Sequence, residues 1–150
     1  MILDSYFEEI MKYAHFWNWL PDWELVQKVY NEYPETYSIL LPFAYSYLEE
    51  IIRSTTTEYG REIMDEKGVE RKRKTGIDLI NLAINQNRSN IEYVTILKGL
   101  KNYFSKSKAI NSGDNRNGVN HGYMHPRFWH KEDFEKLICD IAEISKYSKF

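Results

Sequence analysis

The densest group of chemistry-bearing residues in this chain is the run Asn115-Arg116-Asn117-Gly118-Val119-Asn120-His121-Gly122-Tyr123. Arginine stays charged at any working pH and forks onto two phosphate oxygens. Histidine titrates near neutrality and carries a proton to or from a reacting hydroxyl. Arg116 and His121 lie five positions apart, and Asn117 sits between them, able to orient either one by hydrogen bonding. These are the parts needed to cleave RNA without a metal. A base removes the 2′-hydroxyl proton, the oxygen attacks the adjacent phosphorus, and a guanidinium steadies the crowded anion. Two blander alternatives use the same residues. One is a polar loop turned by its asparagines and glycines. The other is an Arg116 that serves only the fold, through a salt bridge.

Other chemistries find less support. His121, His125 and His130 form a cluster, and three imidazoles suit zinc. Gly122 and Pro126 interrupt any single helix that would display them on one face, and no carboxylate stands at a recognisable motif spacing. The run Gly113-Asp114-Asn115-Arg116-Asn117-Gly118 has the look of a calcium loop. Its first and twelfth ligand positions would be Gly113 and Met124, which cannot serve. There is no phosphate-binding Gly-rich loop, no GxGxxG and no GxSxG. Neither a metal nor a cofactor is therefore expected.

Charge is placed unevenly. The formal net charge is −2, yet residues 1–50 hold nine Asp/Glu against two Lys. The remaining two thirds are basic, and no acidic residue occurs between positions 93 and 113. Lys98, Lys101, Lys106 and Lys108 fall in that acid-free stretch and are the candidate phosphate contacts for an RNA partner. A well-solvated surface with no partner accounts equally for such a distribution.

The elements that must position these residues are helical. Apolar residues recur at three- or four-residue spacing over 3–19 (Leu3, Phe7, Ile10, Ala14, Trp17), with Ser5 and Glu8 spaced as a capping box. Pro21 opens a second helix and Pro34 ends it. A third is expected over 38–59, with Pro42 in its first turn or at a kink and Gly60 as its stop. Residues 61–76 read as a charged connection, followed by a short helix over 76–85. A capping box at Ser89 and Glu92 opens the next helix, which carries Tyr93, Ile96, Leu97, Leu100 and Phe104. Residues 105–126 read as loop, and a last amphipathic helix covers 131–147. No period-two pattern marks a strand. The expectation is an all-α, single-domain bundle of five to six helices.

The 150 residues suit one core, and 43% hydrophobic and 15% aromatic content is enough to fill it. A lone cysteine, Cys139, permits no internal disulfide and lies on an apolar helical stripe, where a small buried hydrophobe is expected. The first residues lack the basic start and apolar run of a signal peptide, and no stretch is long enough to span a bilayer. A cytoplasmic, membrane-free location is the default expectation. Twelve Tyr and four Trp are many for a small core, which raises a second function class: a non-catalytic helical module binding a protein partner or nucleotide through exposed aromatics.

At Arg116, Asn117 and His121 the chain resembles the HEPN superfamily (higher eukaryotes and prokaryotes nucleotide-binding), marked by Arg, a polar residue, a spacer and His. His121-Gly122 is frequent in one branch. The stretch Leu40-Leu41-Pro42-Phe43-Ala44-Tyr45-Ser46-Tyr47-Leu48-Glu49-Glu50-Ile51-Ile52-Arg53 resembles the long helix that precedes the motif there, with Glu49 or Glu50 near a recurrent acidic residue. The resemblance implies a helical bundle that dimerises, so that two motifs face each other and build one composite site. It implies a metal-independent endoribonuclease of the toxin–antitoxin or phage-defence kind, with Arg116 and His121 catalytic and Asn117 in support. Some HEPN domains are instead non-catalytic modules. Tyr123 completes an R-x4-H-x-Y pattern, and in HepT-like toxins the tyrosine at that place is adenylylated by a partner nucleotidyltransferase. The spacer Gly118, Val119 and Asn120 departs from the family, where it is often apolar.

Overall fold

In the computed structural model the described residues are 2–105, Asp114, Arg116, Val119 and 129–150. They form an all-α bundle with six α-helices and, among the described residues, no strand. The helices are α1 (Ile2–Tyr13), α2 (Leu20–Glu32), α3 (Tyr37–Ser54), α4 (Gly76–Gln86), α5 (Ile91–Leu100) and α6 (Lys131–Ser145). A 3₁₀ turn, Pro34–Thr36, leads into α3, and another, Lys101–Phe104, follows α5. No helix among the described residues is long and apolar enough to cross a membrane.

The amphipathic faces read from the sequence become one core. Phe7 and Ile10 of α1, Leu48 and Ile52 of α3, and Leu137 and Ile141 of α6 are fully buried. α6 packs against both α1 and α3, while α4 joins α3 to α5. Of the described aromatic residues ten are buried, eight half-buried and three exposed. Trp23, Tyr30, Tyr45, Tyr47 and Tyr93 are fully or almost fully buried, whereas Phe16, Trp17 and Tyr33 are exposed.

Several boundaries differ from the expectation, each for a local reason. α1 stops at Tyr13 rather than 19. The ring of His15 accepts the backbone N–H groups of Trp17 and Asn18 at 3.2 and 3.3 Å, which gives the chain a turn in place of a further helical turn. Ser5 then lies inside α1, so its spacing from Glu8 marks no cap. α3 ends at Ser54 rather than 59. The hydroxyls of Ser54, Thr55 and Thr56 donate back to the carbonyls of Ile51, Ile52 and Arg53, capping the last turn from within. Pro42 falls inside α3, in its second turn. The cap of α5 is Asn90, whose side chain accepts from the Tyr93 N–H at 3.1 Å, one residue later than the Ser89 expected. Cys139 is half-buried rather than fully enclosed.

The connection between α3 and α4 is tied down by charge. It turns at Gly68 (φ +74°), where the Asp65 carboxylate accepts from Lys67 N and Val69 N. The Glu58 carboxylate, just past α3, accepts from the Arg71 guanidinium and from Lys74 N. Arg53 donates to the Lys74 carbonyl at 2.8 Å.

Candidate functional site

Arg116 is the sequence-predicted site residue that the structure describes most fully. Its backbone is helical, as is that of Val119, and Val119 is buried in the main core. The expectation of a loop over 105–126 therefore fails at these two positions. Asparagine and glycine make the run look like a loop, but Val119 is buried in the core, and at a buried position tertiary packing overrides propensity.

The Arg116 guanidinium donates to Glu49 Oε2 at 2.7 Å, across 67 residues of sequence. Both side chains are close to nine-tenths buried, with 12% and 11% of their area exposed. The second oxygen of Glu49 accepts the Gly76 N–H at 2.8 Å. One carboxylate on α3 thus fixes both Arg116 and the first residue of α4. Gly76 starts that helix at φ +57°, a conformation that a side chain would strain, although no neighbouring atom would obstruct one. Arg53, one turn beyond Glu49, reaches Glu50 at 3.6 Å as well as the Lys74 carbonyl. The result is a buried polar seam along the C-terminal part of α3.

Tyr45, one turn before Glu49, is fully buried. Burial pushes its phenol well above the ordinary value, and the charges of Asp133, Asp114 and Asp140 add to the effect. On α6, Asp140 accepts from the Tyr103 hydroxyl and from Lys136. Burial and that carboxylate together keep Tyr103 protonated.

The other predicted residues divide into two groups. Asn117, His121, Tyr123, Lys106 and Lys108 lie outside the described residues, as does His125. Lys98 is exposed on α5 and Lys101 half-buried at the following turn. Among the described residues neither makes an ion pair, and no hydrogen bond links either to Arg116. His130 is exposed at the start of α6.

Sequence reasoning placed Glu49 only as one of two acidic residues near a recurrent position. The pairing itself could not be read from spacing, because its partners are 67 positions apart. The amide contact at Gly76 was not anticipated. The one signal for it was a glycine at a helix start, following a basic run.

No family model matches this chain, and neither a curated protein nor a solved structure does.

Proposed function

We propose that this chain is a metal-independent endoribonuclease of the HEPN type, acting as a homodimer in a toxin–antitoxin or phage-defence setting. Arg116 and His121 are its catalytic pair, and Asn117 supports them. The observation that carries this reading is the 2.7 Å contact between Arg116 and Glu49. The two stretches that resemble the family, one around Arg116 and one along 40–53, are far apart in sequence and meet through those two side chains.

Physically, Glu49 orients the guanidinium. A carboxylate fixed at the rear of an arginine restricts its rotamers, so the side chain meets a phosphate without a further ordering cost. His121 takes the 2′-hydroxyl proton, the 2′-oxygen attacks the adjacent phosphorus, and the bond from phosphorus to the 5′-oxygen breaks, the 5′-oxygen leaving with a proton from water and the other strand end keeping a 2′,3′-cyclic phosphate; Arg116 stabilises the charge that builds on the phosphate oxygens. One Arg–His pair is half of such a site, and a second copy of the chain supplies the other half. Lys98, Lys101, Lys106 and Lys108 hold backbone phosphates.

The test is incubation of the purified chain with total RNA in the presence of EDTA. Cleavage that persists in EDTA and disappears in His121→Ala supports the proposal. Absence of cleavage by the wild type, or equal cleavage by the variant, overturns it.

One observation favours a different reading. Arg116 is mostly buried and its charge is met by Glu49, which suits a fold-holding ion pair in a non-catalytic binding module. In that case His121→Ala leaves function intact, while removing Arg116 unfolds the chain.

A further inference from the structure

The α3–α4 connection contains an isolated β-bridge, Met64 opposite Glu70. Two short arms, 61–65 and 69–73, run antiparallel on either side of the turn Asp65-Glu66-Lys67-Gly68. Asp65 N donates to the Val69 carbonyl at 2.9 Å, and Arg71 N donates to the Ile63 carbonyl. Backbone groups at odd-numbered positions therefore point into the hairpin, and those at even-numbered positions point out of it. The edge of the second arm, Glu70 and Lys72, runs into the bundle. At its end the Lys74 N–H is taken by Glu58 and the Lys74 carbonyl by Arg53. The edge of the first arm, Glu62 and Met64, is on the opposite side. Among the described residues, no hydrogen bond uses the N–H or C=O of either one. Both residues are exposed, Met64 to 50%.

We propose that this free edge pairs with the same edge of a second copy of the chain. The order of residues along the arm selects that occupant. Turned about a two-fold axis through Ile63, the arm sets Glu62 opposite Met64 of the partner subunit, and the two exchange their outward N–H and C=O groups. Ile63 then meets Ile63 of the partner subunit, and Arg61 lies opposite Asp65 of the partner subunit on the same face. The Arg61 guanidinium has no hydrogen bond or ion pair of its own among the described residues. A slip to centre on Glu62 sets that carboxylate against itself. A slip to centre on Met64 sets Glu62 against Glu66 and Arg61 against Lys67. Charges on an exposed edge ordinarily repel other strands. Here they are self-complementary in one register, so they discourage foreign strands and admit a second copy. A lone hairpin is marginal in water, and pairing doubles its sheet. The contact uses the same surface on both copies and closes at the dimer. It rests on backbone geometry and charge, and holds whether or not the chain cleaves RNA.

The test is sedimentation equilibrium of the full chain over a range of concentrations, with circular dichroism as the check on folding. The wild type is expected to show a monomer–dimer equilibrium, a weak one because the contact is small. Met64→Pro removes an outward N–H but no bond within the hairpin. It should weaken dimerisation at least about tenfold, through one hydrogen bond lost on each side of the axis. Lys72→Pro makes the same change on the other edge and should leave dimerisation unaltered. Arg61→Glu sets like charges opposite one another. It should weaken the dimer, and added salt, which loosens the wild type, should tighten this variant. Register is read with Ile63→Cys in a Cys139→Ser background, which should form a disulfide between subunits under mild oxidation, whereas Lys72→Cys should not. A wild type that stays monomeric throughout, a dimer that Met64→Pro leaves intact, equal losses from the two prolines, or no cross-link through Ile63→Cys each overturns the inference. A dimer with the expected responses in a chain that cleaves no RNA keeps the inference and sinks the ribonuclease reading. RNA cleavage by a dimer indifferent to Met64→Pro does the reverse.

Discussion

Around Phe43 and Tyr47, α3 is held by aromatic rings; at Glu49 and Arg53, one turn further on, it is held by charge. In the first region Trp19 and Trp23 pack edge-on against Tyr47, with ring centroids 4.9 and 5.0 Å apart, and Trp23 meets Phe43 in the same way at 5.1 Å. In the second, two carboxylates and two guanidiniums fix the α3–α4 connection, the start of α4 and Arg116. The aromatic region gains most of its free energy from burial, with a smaller share from the edge-on meeting of its rings. The ionic region is a poor way to gain stability, because stripping water from two charges offsets most of their attraction. What a buried ion pair supplies is direction. The aromatic region holds the bundle together, and the ionic region fixes one guanidinium.

The largest expected effect lies in the aromatic region. Trp23 is fully buried among rings, so Trp23→Ala should cost about 3–5 kcal/mol in urea denaturation. Under the proposed ribonuclease function, RNA cleavage per folded molecule should match that of the wild type. A large loss of specific activity in the folded fraction would erase the contrast between the two regions.

The next effect lies in the ionic region and has the opposite signature. Glu49→Gln keeps the volume but removes the charge facing Arg116, and should cost about 1.5–3 kcal/mol, the usual worth of a hydrogen bond to a charged group. Under the proposed function it should also abolish RNA cleavage in the fraction that remains folded. Glu49→Leu combined with Arg116→Leu should recover most of the stability, since an apolar pair can replace a buried ion pair, while restoring no activity. Recovery of both would mean that the pair serves chemistry no better than it serves the fold.

The smallest effect has the sign of a gain. The Tyr47 hydroxyl is buried and has no hydrogen-bond partner among the described residues. Tyr47→Phe should therefore stabilise the chain by up to about 1 kcal/mol. The same substitution bears on alkaline stability. Burial raises the phenols of Tyr47 and Tyr93 above the ordinary value of 10.0, Tyr93 to about 12. Below pH 10 the folded and unfolded chains both carry neutral phenols, and this contribution to stability is fully present. As pH rises from 10 toward 12, the unfolded chain ionises first and stability falls. Denaturation midpoints across that window should drop less steeply in Tyr47→Phe than in the wild type. An equal drop would show that the Tyr47 phenol plays no part in the alkaline loss of stability.

Periodicity made the regular parts of the bundle legible. The expected 76–85 and 131–147 are α4 (Gly76–Gln86) and α6 (Lys131–Ser145), and the buried faces of α6 at Phe134, Leu137, Ile138, Ile141 and Ile144 are those the spacing marks. Where side chains compete with the backbone, periodicity misled. His15 ended α1 early, and the Ser54–Thr56 hydroxyls ended α3 early, because each satisfied backbone groups that a longer helix would have used. Arg116 was legible as a residue type, but its helical setting was not, since burial of Val119 decides it and composition points the other way. The Glu49 contact joins positions with no shared local pattern, so only a resemblance between two separate stretches pointed toward it.

Under the proposed function the Glu49–Arg116 pair holds a guanidinium for chemistry, and Arg116→Lys separates that role from one in the fold alone. Lysine keeps the positive charge that meets Glu49 but lacks the planar fork that grips two phosphate oxygens. Arg116→Lys is expected to stay folded, by circular dichroism and urea midpoint, and to lose at least about a hundredfold in EDTA-resistant RNA cleavage, the scale of losing one well-placed donor to a developing anion. A folded Arg116→Lys that cleaves RNA at the wild-type rate would contradict it.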